Sequence, residues 1–305
     1  MKIIKPSYLN DKNLISYLLT PFTIFTILIN FSKNFLISKK YKIKTICVGN
    51  IYVGGTGKTS LGIQINKILK NKFKTVFIKK KYLDQLDERK MLQTHGKLIS
   101  DENRVVSLDK AEVKKFDVAI LDDGLQDKKI DYDISIACFN STYGIGNGYL
   151  LPAGPLREKL GILKKYSAIF LVGEKKNTKL SSILKKFNNK IFYSNYVPIN
   201  IKNFNRKKSY LYFCGIGNPE EFENTLNKYK FKISKKCIFP DHYNYTNEDL
   251  EKIKKIALND KLEIITTEKD YKRLTNNNKK NIKYLKVELQ IQNYKMFSNF
   301  LKKKI

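Results

Sequence analysis

The sequence predicts an α/β protein in which a mainly parallel sheet carries helices on both faces, followed by a second, smaller α/β domain. Three observations support this fold class. Apolar runs typical of buried parallel strands alternate with helical or irregular stretches. At Val48–Ser60 a short apolar run leads into a glycine-rich turn and then into an amphipathic stretch, which is the order strand, loop, helix. A polar, Asn/Lys-rich stretch at Asn200–Lys208 separates two such series and is the expected linker.

The N-terminal segment is apolar. Asn13–Ser32 carries no charged side chain over about 20 residues, the length that a helix needs to cross a bilayer. Pro21 interrupts this run, lysines flank it, and no small-residue cleavage site follows it. We therefore expect residues 1–40 to form a helical segment embedded in one face of a membrane. A full span and the core helix of a soluble domain are the alternatives.

Two domains follow this segment in the predicted organisation. The first is expected at residues 41–200 and the second at 201–305, closing over the active site. The apolar runs predict strands at Lys44–Val48, Thr75–Ile78, Val118–Leu121, Ile134–Phe139, Ala168–Val172, Leu211–Phe213, Phe231–Phe239, Leu262–Thr266 and Ile282–Val287. The amphipathic stretches predict helices near Thr59–Leu69, Glu220–Lys228, Asn247–Leu258 and Gln290–Lys303.

The chain is strongly basic. Its 59 Lys and Arg residues against 28 Asp and Glu residues give a formal net charge of +31, and the lysines are scattered along the whole length. This pattern fits either compositional bias or attraction to an anionic surface. No zinc finger, RNP motif or basic region with heptads is present. We therefore expect a membrane surface and no nucleic acid as a partner. The four cysteines have no CxxC spacing, and we expect them to be reduced core residues of a cytosolic protein.

The glycine-rich turn has the residues of a phosphate-binding P-loop. Its members are Gly54, Gly55, Thr56, Gly57, Lys58, Thr59 and Ser60. Backbone N–H groups in such a loop converge on a phosphate, the lysine neutralises β- and γ-phosphate oxygens, and the threonine ligates Mg²⁺. The usual pattern has a glycine at position 52, where this chain has Tyr52. We predict ATP and Mg²⁺ as cofactors.

Carboxylates that could complete the predicted nucleotide site follow the P-loop in the sequence. The apolar run Val118–Leu121 leads into Asp122 and Asp123, as a Walker B strand does. A kinase also needs a carboxylate that activates or positions the acceptor hydroxyl. The candidates between the two motifs are Asp84, Asp87, Glu88, Asp101 and Glu102, and their spacing does not choose among them.

Six motifs in order resemble those of the tetraacyldisaccharide 4′-kinase family, which phosphorylates the lipid A precursor. They are VGNIYVGGTGKTS at the P-loop, LDDGLQ at Leu121–Gln126, GNGYLLPAGPLRE at Gly146–Glu158, FCGIGNPEEF at Phe213–Phe222, FPDHYNY at Phe239–Tyr245 and TTEKD at Thr266–Asp270. The resemblance covers nearly the whole chain. It implies transfer of the γ-phosphate of ATP to the 4′-hydroxyl of an acylated glucosamine disaccharide 1-phosphate.

The resemblance also implies roles for individual residues. The family's Gly-Asp-Glu-Pro motif corresponds to Leu86–Arg89, so Asp87 is the implied catalytic base and Glu88 a metal-side carboxylate. His242 matches the histidine that assists this base. The remaining implied roles are catalysis for Lys58 and Asp123, metal binding for Thr59 and Asp122, and substrate binding for Asn147, Arg157 and Glu158. A monomer at the cytoplasmic face of the inner membrane, peripheral or monotopic, is expected.

Two stretches depart from the family pattern. Asp127 stands where the family has a histidine, and Lys79–Tyr82 replaces a Ser-Arg-Gly-Tyr stretch. A carboxylate at position 127 adds negative charge beside Asp122 and a triphosphate, so Asp127→His is expected to raise turnover or nucleotide affinity. Alternatively, Asp127 is turned away and neutralised by Lys128 or Lys129.

Two other functions remain open at this point. The first is a P-loop ATPase that uses hydrolysis as a switch and binds nucleic acid or a protein through its basic surface. The second is a divergent member of the family that binds lipid but transfers phosphate weakly. An assay of phosphate transfer from ATP to the lipid separates them from the kinase.

Overall fold

The computed structural model describes residues 7–82, 86–173 and 177–305. Its helices are α1 Leu14–Leu19, α2 Thr23–Ser32, α3 Lys58–Leu69, α4 Leu86–Gln93, α5 Arg104–Val113, α6 Thr178–Lys185, α7 Pro219–Lys228, α8 Asn247–Asn259, α9 Glu268–Tyr271 and α10 Tyr294–Lys302. Its strands are β1 Lys44–Gly49, β2 Thr75–Lys79, β3 Leu98–Ile99, β4 Val118–Asp122, β5 Ile134–Asn140, β6 Ala168–Val172, β7 Ile191–Pro198, β8 Ser209–Cys214, β9 Lys232–Ile238, β10 Glu263–Thr267, β11 Ile282–Leu285 and β12 Val287–Ile291.

The chain divides into two compact units. Among the described residues, the larger comprises 7–82, 92–173, 177–195 and 289–305, and the smaller comprises 86–91 and 196–288. The boundary near residue 196 lies close to the predicted linker. Residues 86–91, however, belong to the smaller unit although they precede the linker, and residues 289–305 belong to the larger unit although they follow it. The predicted domain boundaries stay a prediction.

The larger unit is built on a sheet of eight strands in the described part of the chain, in the order β12-β7-β6-β5-β1-β4-β2-β3. Its central strands pair in parallel, and β1 lies between β4 and β5. These strands are buried along nearly their whole length, which explains why their sequences read as continuous apolar runs. The parallel register brings the carboxyl ends of β1, β2 and β4 to one edge, where the phosphate loop begins.

The smaller unit has a four-stranded parallel sheet in the order β11-β10-β8-β9. Its central strand β8 is buried, whereas the edge strand β9 exposes most of its side chains, including three lysines. An exposed lysine-rich edge discourages pairing with other chains. Helix α8 starts at a capping box formed by Thr246 and Asp249.

The N-terminal segment is a broken helix. Asn13 caps α1, a 3₁₀ turn containing Pro21 follows, and α2 continues to Ser32. Together with a final 3₁₀ turn, Leu14–Phe35 is the one helical segment within the described residues that is long and apolar enough to cross a membrane. The expected interruption at Pro21 is therefore present.

Most predicted strands match the observed ones within two residues at each end. The predicted strand at Ile282–Val287 is wrong in extent, because the chain forms two strands there, β11 and β12, which belong to different sheets. The C-terminal helix begins at Tyr294 rather than near Gln290, since Gln290 and Ile291 belong to β12. All four cysteines are free, and Cys237 is the one that is not fully buried.

Candidate active site

The phosphate loop joins β1 to α3. Gly57 adopts a left-handed conformation with φ 76° at the start of α3, and Gly54 has φ 138°, so both positions favour glycine. Asn50 is buried beneath the loop, where its amide donates to Gly54 O at 3.2 Å and to Thr56 Oγ1 at 3.0 Å. These bonds hold the loop in shape from inside.

Tyr52 stands where the usual P-loop has its first glycine, and its contacts explain how the loop keeps its conformation without that glycine. Its side chain is buried against Leu150 and Leu156, and its backbone bridges to Leu156 in antiparallel fashion. The neighbouring Val53 N–H donates to Pro155 O at 2.9 Å. The first half of the loop is therefore fixed by the PAGPLRE segment, a support that the local glycine pattern does not reveal.

Helix α3 and strand β4 bring together the residues predicted to serve the metal. The Thr59 hydroxyl donates to Asp122 Oδ2 at 3.0 Å, and Lys79 Nζ donates to the same oxygen at 2.7 Å. Asp122 Oδ1 is buried and has no hydrogen-bond partner among the described residues. A hydroxyl and a buried carboxylate with an open oxygen fit Mg²⁺, which prefers oxygen ligands.

No group of three or more His, Cys, Asp or Glu side chains capable of holding a metal exists in the described ranges. A P-loop site does not require such a group, because Mg²⁺ completes its coordination there with water and with nucleotide phosphates. Thr59 and Asp122 would hold the ion in this unit. Lys79 was not predicted as a member of the site.

Asp123 lies at the turn that follows β4. It has φ 61°, a conformation that is uncommon for a residue other than glycine, and its N–H donates to Val48 O at 2.8 Å. Its carboxylate lies 3.8 Å from Lys58 Nζ and 3.7 Å from Arg157 Nη1. The P-loop lysine and the arginine of the PLRE motif therefore both lie near the Asp123 carboxylate, and the roles predicted for these three residues stay predictions.

A buried arginine supports this turn. Arg104, at the start of α5, donates through Nη2 to Asp123 O, and its Nη1 lies 3.6 Å from Asp127 Oδ2. The Tyr132 hydroxyl donates to Gly124 O at 2.8 Å, and a β-carbon at Gly124 would lie 2.8 Å from that hydroxyl oxygen. Glycine is therefore needed at position 124 because a side chain has no room there.

Two of the predicted substrate-binding residues have structural partners. Glu158 is buried and accepts hydrogen bonds from Tyr166 and Gln126, and Lys128 Nζ lies 3.2 Å from its Oε1. Burial, together with this carboxylate, raises the pKa of Tyr166, so the phenol stays protonated and donates.

Asn147 is also buried, and its amide donates to the backbone carbonyls of Tyr8 and Ala153. Its side-chain oxygen accepts a bond from Tyr149 N–H. The contacts of Asn147 and Glu158 shape the loop that carries Arg157. Their substrate-binding roles stay predictions.

The second cluster of predicted catalytic residues lies within the smaller unit, where the first turn of α4 carries Asp87 and Glu88. His242 Nδ1 lies 3.3 Å from Asp87 Oδ1, so the predicted base and its assisting histidine are paired within one unit. His242 has φ 58°, and its N–H donates to Gly215 O at 3.2 Å. The close approach of the Pro240 carbonyl, 3.0 Å from a β-carbon placed on Gly215, explains the glycine in that loop.

Two cations at and just beyond helix α9 complete this cluster. Arg273, just after α9, donates through Nη2 to Asp87 Oδ2 at 2.7 Å. Lys269 Nζ lies 3.5 Å from the same oxygen, 3.4 Å from Glu88 Oε1 and 3.2 Å from His242 Nε2. The sequence predicted a role for neither residue: Lys269 was named only within the motif TTEKD, and Arg273 was not named at all. Arg273 lies two residues beyond the end of α9, and no local pattern in the sequence marked it as part of the site.

A buried carboxylate holds Arg273 in place. Asp270 Oδ1 accepts from Gly215 N–H, from the Tyr245 hydroxyl and from Arg273 Nη1, while its Oδ2 accepts from the Thr267 hydroxyl. Burial raises the pKa of Asp270 and outweighs these bonds. The motifs FPDHYNY and TTEKD therefore meet around one side chain.

The surroundings of Asp87 favour its ionised form. Burial raises the pKa of this carboxyl, but the hydrogen bond from His242 and the charges of Lys269 and Arg273 outweigh burial and hold the pKa well below its usual range. Asp87 therefore carries a full negative charge at neutral pH. Of the other carboxylates considered, Asp101 is paired with Lys110, and Asp84 lies outside the described residues.

Comparison with known proteins identifies the family. A family model described as tetraacyldisaccharide-1-P 4′-kinase matches residues 15–305. The tetraacyldisaccharide 4′-kinase of Pelagibacter ubique (strain HTCC1062) is 45% identical over 307 residues, which covers 99% of this chain and 98% of that protein. The chain belongs to the tetraacyldisaccharide 4′-kinase family. The enzyme of the same name from Rickettsia akari (strain Hartford) is 35% identical over 323 residues, covering 100% of this chain and 98% of that protein.

A solved structure supports the fold of this family member. Aquifex aeolicus LpxK, crystallised in complex with ATP, superposes with a TM-score of 0.70 over 95% of this chain and 99% of that chain, at 23% identity. The predicted family, α/β fold class, kinase activity and use of ATP are confirmed. The roles of individual side chains in this member of the tetraacyldisaccharide 4′-kinases stay predictions.

Proposed function

We propose that this member of the family transfers the γ-phosphate of ATP to the 4′-hydroxyl of a tetraacylated glucosamine disaccharide 1-phosphate with Asp87 as the group that orients and deprotonates the hydroxyl. The observation that carries this assignment is the geometry of Asp87. Its carboxylate is buried, ionised and fixed by Arg273 and His242. None of the other carboxylates considered from the sequence has such a setting within the described residues.

In the proposed reaction the 4′-oxygen attacks the γ-phosphorus, the bond to the β,γ-bridging oxygen breaks, and ADP leaves. The hydroxyl proton passes to the Asp87 carboxylate. Because the pKa of Asp87 is held low, its main contribution is to orient the hydroxyl before the proton moves, which suits a loose phosphoryl-transfer transition state. His242 and Lys269 keep the carboxylate aligned.

The other unit supplies the phosphate-binding half. Backbone N–H groups of the loop from Gly54 to Gly57 and the start of α3 bind the phosphates, and Lys58 stabilises the charge that develops on the γ-phosphate. Thr59 and Asp122 would hold Mg²⁺, which would supply positive charge to the β- and γ-phosphate oxygens. Transfer also requires the substrate hydroxyl that Asp87 orients to meet the γ-phosphate.

The lipid substrate reaches the enzyme at a membrane surface in this proposal. Helix α2 donates from Thr26 to Leu151 O and from Asn30 to Arg157 O, both at 2.7 Å, so its polar side faces the protein. Large apolar side chains are exposed along Leu14–Phe35. In the most apolar 18-residue stretch of this segment, only 6% is buried within the protein. A helix attached along one side in this way suits a monotopic rather than a spanning position.

The backbone carbonyl of Arg157 accepts the hydrogen bond from Asn30 of α2, and its guanidinium lies 3.7 Å from Asp123, which supports a role for Arg157 in binding a phosphate of the lipid. We assign the enzyme to the cytoplasmic face of the inner membrane, where ATP is present, as a peripheral or monotopic monomer without a nucleic-acid partner. The attraction of its positive charge to anionic lipids adds to the anchoring.

The proposal is tested by incubating the protein in detergent micelles with γ-³²P-ATP and the acylated disaccharide 1-phosphate. Labelled lipid is expected from the unmodified protein, about 10²-fold less or lower from Lys58→Ala, and a loss of similar size from Asp87→Asn with little change in ATP binding. ATP hydrolysis without labelled lipid contradicts the kinase. Near-normal turnover of Asp87→Asn removes this residue from the mechanism.

A further inference from the structure

A lysine ammonium lies inside the phosphate site. Lys79 is the last residue of β2, and the parallel register places it directly beside Asp122 at the end of β4. The side chain is 2% exposed, and its Nζ donates to Asp122 Oδ2 at 2.7 Å. The same oxygen accepts the Thr59 hydroxyl. Asp122, one of the two side chains that fit Mg²⁺, therefore already has a cation partner that belongs to the chain.

The pair differs from a buried ion pair that only stabilises the fold. Removing an ammonium and a carboxylate from water costs several kcal/mol for each ion, roughly, and this cost is offset only when the remaining polar atoms are also satisfied. Both oxygens of the buried Asp270 carboxylate have such partners. Asp122 Oδ1, in contrast, has no hydrogen-bond partner among the described residues. Asp122 is thus arranged to receive a second cation on its open oxygen.

The charges at the site explain why a resident cation is useful. A triphosphate bound at the loop comes close to the carboxylates of Asp122 and Asp123, which repel it. Lys58 lies near Asp123, at 3.8 Å, and Lys79 is paired with Asp122. Because few water molecules can screen charges at a buried site, each compensating cation has a large effect on anion affinity.

We propose that Lys79 is a tethered counter-cation of the nucleotide site, which allows the triphosphate to bind before Mg²⁺ and then competes with Mg²⁺ for Asp122. This inference rests on the phosphate site of the proposed function. Without the metal, Lys79 cancels the repulsion between Asp122 and the nucleotide. With the metal present, Lys79 weakens the hold of Asp122 on the ion.

The test compares nucleotide affinity with and without the metal. Isothermal titration calorimetry with a non-hydrolysable ATP analogue, in EDTA and in about 10 mM Mg²⁺, yields the dissociation constant in EDTA divided by that in Mg²⁺. The Lys79→Met substitution is expected to raise this ratio by about tenfold, because metal-free binding weakens while binding in the presence of the metal is kept or strengthened. Lys81→Met removes the same charge from an exposed position nearby and is expected to leave the ratio unchanged.

The failure of this inference can be distinguished from failure of the proposed function. Nucleotide binding by the unmodified chain tests the phosphate site, whereas the ratio tests Lys79 alone. An unchanged ratio in Lys79→Met, accompanied only by a lower unfolding temperature, would show that the lysine has a structural role and overturns the inference.

A second pair of variants covers the case in which Lys79→Met does not fold. Asp122→Asn removes the carboxylate that a missing lysine would leave unpaired. In this background Lys79→Met is expected to weaken metal-free nucleotide binding about fivefold, since the ammonium no longer attracts the triphosphate. Equal metal-free affinities in Asp122→Asn and in the double variant contradict the inference.

Discussion

Asp127 is compensated by a buried arginine and not by the neighbouring lysines. Its Oδ2 lies 3.6 Å from Arg104 Nη1, and the two side chains are 21% and 9% exposed. Of the expected partners, Lys128 has its ammonium 3.2 Å from Glu158, and Lys129 contributes a backbone N–H at 3.4 Å. The negative charge at position 127 is therefore already balanced, which changes what the Asp127→His substitution is expected to do.

We expect Asp127→His to lower stability and not to raise turnover. A histidine at this position removes the carboxylate partner of a buried guanidinium, and an unsatisfied buried polar group costs about 1–3 kcal/mol. Such a loss lowers the unfolding temperature by roughly 2–4 °C for each kcal/mol. Differential scanning calorimetry, together with kcat and KM for ATP over a Mg²⁺ series, measures both effects.

Asp131→His serves as the matched control, because Asp131 is exposed and its nearest cation, Lys40, lies 3.6 Å away. It is expected to change neither the unfolding temperature nor the kinetics. If Asp127→His raised turnover or nucleotide affinity at an unchanged unfolding temperature, the charge at position 127 would be acting on the nucleotide, as the sequence alone suggested.

The residues that sequence reasoning missed share one physical property. Lys79, Arg104 and Arg273 each act through a partner far away in the chain: Asp122, Asp123 and Asp87. In a chain with 59 basic residues, no local signal separates a buried lysine or arginine from a solvated one. The P-loop and the Asp122–Asp123 pair were predictable because their chemistry requires a fixed local order of residue types.

At the scale of elements, helix α2 is amphipathic, but its polar face lies against the protein and its apolar face is exposed. Its polar residues Thr26 and Asn30 bind the protein, whereas Phe25 and Ile29, which are 61% and 56% exposed, point away from it. The apolar side chains, four residues apart, lie on one outward face. This outward apolar face supports the proposed contact of α2 with lipid.

We expect the double substitution Phe25→Asp/Ile29→Asp to release the protein from vesicles of neutral phosphatidylcholine. Each large apolar side chain contributes about 1.5–3 kcal/mol when it is transferred from water, so losing two of them weakens partitioning by well over tenfold. Vesicle co-sedimentation measures the bound fraction, and the calorimetric affinity for the ATP analogue shows whether the nucleotide site is intact.

The control for this variant is Val113→Asp, at an exposed apolar position on α5. It introduces the same type of charge outside the N-terminal segment, and its binding to vesicles is expected to equal that of the unmodified protein. Unchanged sedimentation of the Phe25→Asp/Ile29→Asp protein would place the anchor elsewhere in the molecule.

The elements also show where pattern reading reaches its limit. Ala168–Val172 was predicted with the observed bounds, because a short continuous apolar run is typical of a strand buried on both faces. Strand β12, Val287–Ile291, was merged with β11, since only Lys286 separates them. The two strands join different sheets, and that choice depends on packing against β7 and β10, about which the local sequence carries no information.

At the scale of the whole molecule, two free-energy terms would contribute to the proposed membrane binding. The apolar N-terminal segment contributes burial, which salt does not screen. The net charge of +31 contributes attraction to anionic lipid, worth about 1 kcal/mol for each basic residue close to the surface. Salt shortens the Debye length from about 10 Å at 0.1 M to about 3 Å at 1 M, so the charge contribution disappears over this range while the apolar contribution persists.

We therefore expect two-component binding by the unmodified protein. On phosphatidylcholine vesicles the bound fraction should be independent of salt between roughly 0.1 and 1 M, and on vesicles that also contain phosphatidylglycerol it should be higher at low salt and fall to the neutral-vesicle value at high salt. The Phe25→Asp/Ile29→Asp protein should keep only the salt-sensitive component, because its scattered lysines are unchanged. Co-sedimentation over a salt series with both vesicle types measures the two components separately. If both vesicle types bound the unmodified protein equally at every salt concentration, the lysines would reflect composition alone, and the apolar segment would carry the whole of the membrane affinity.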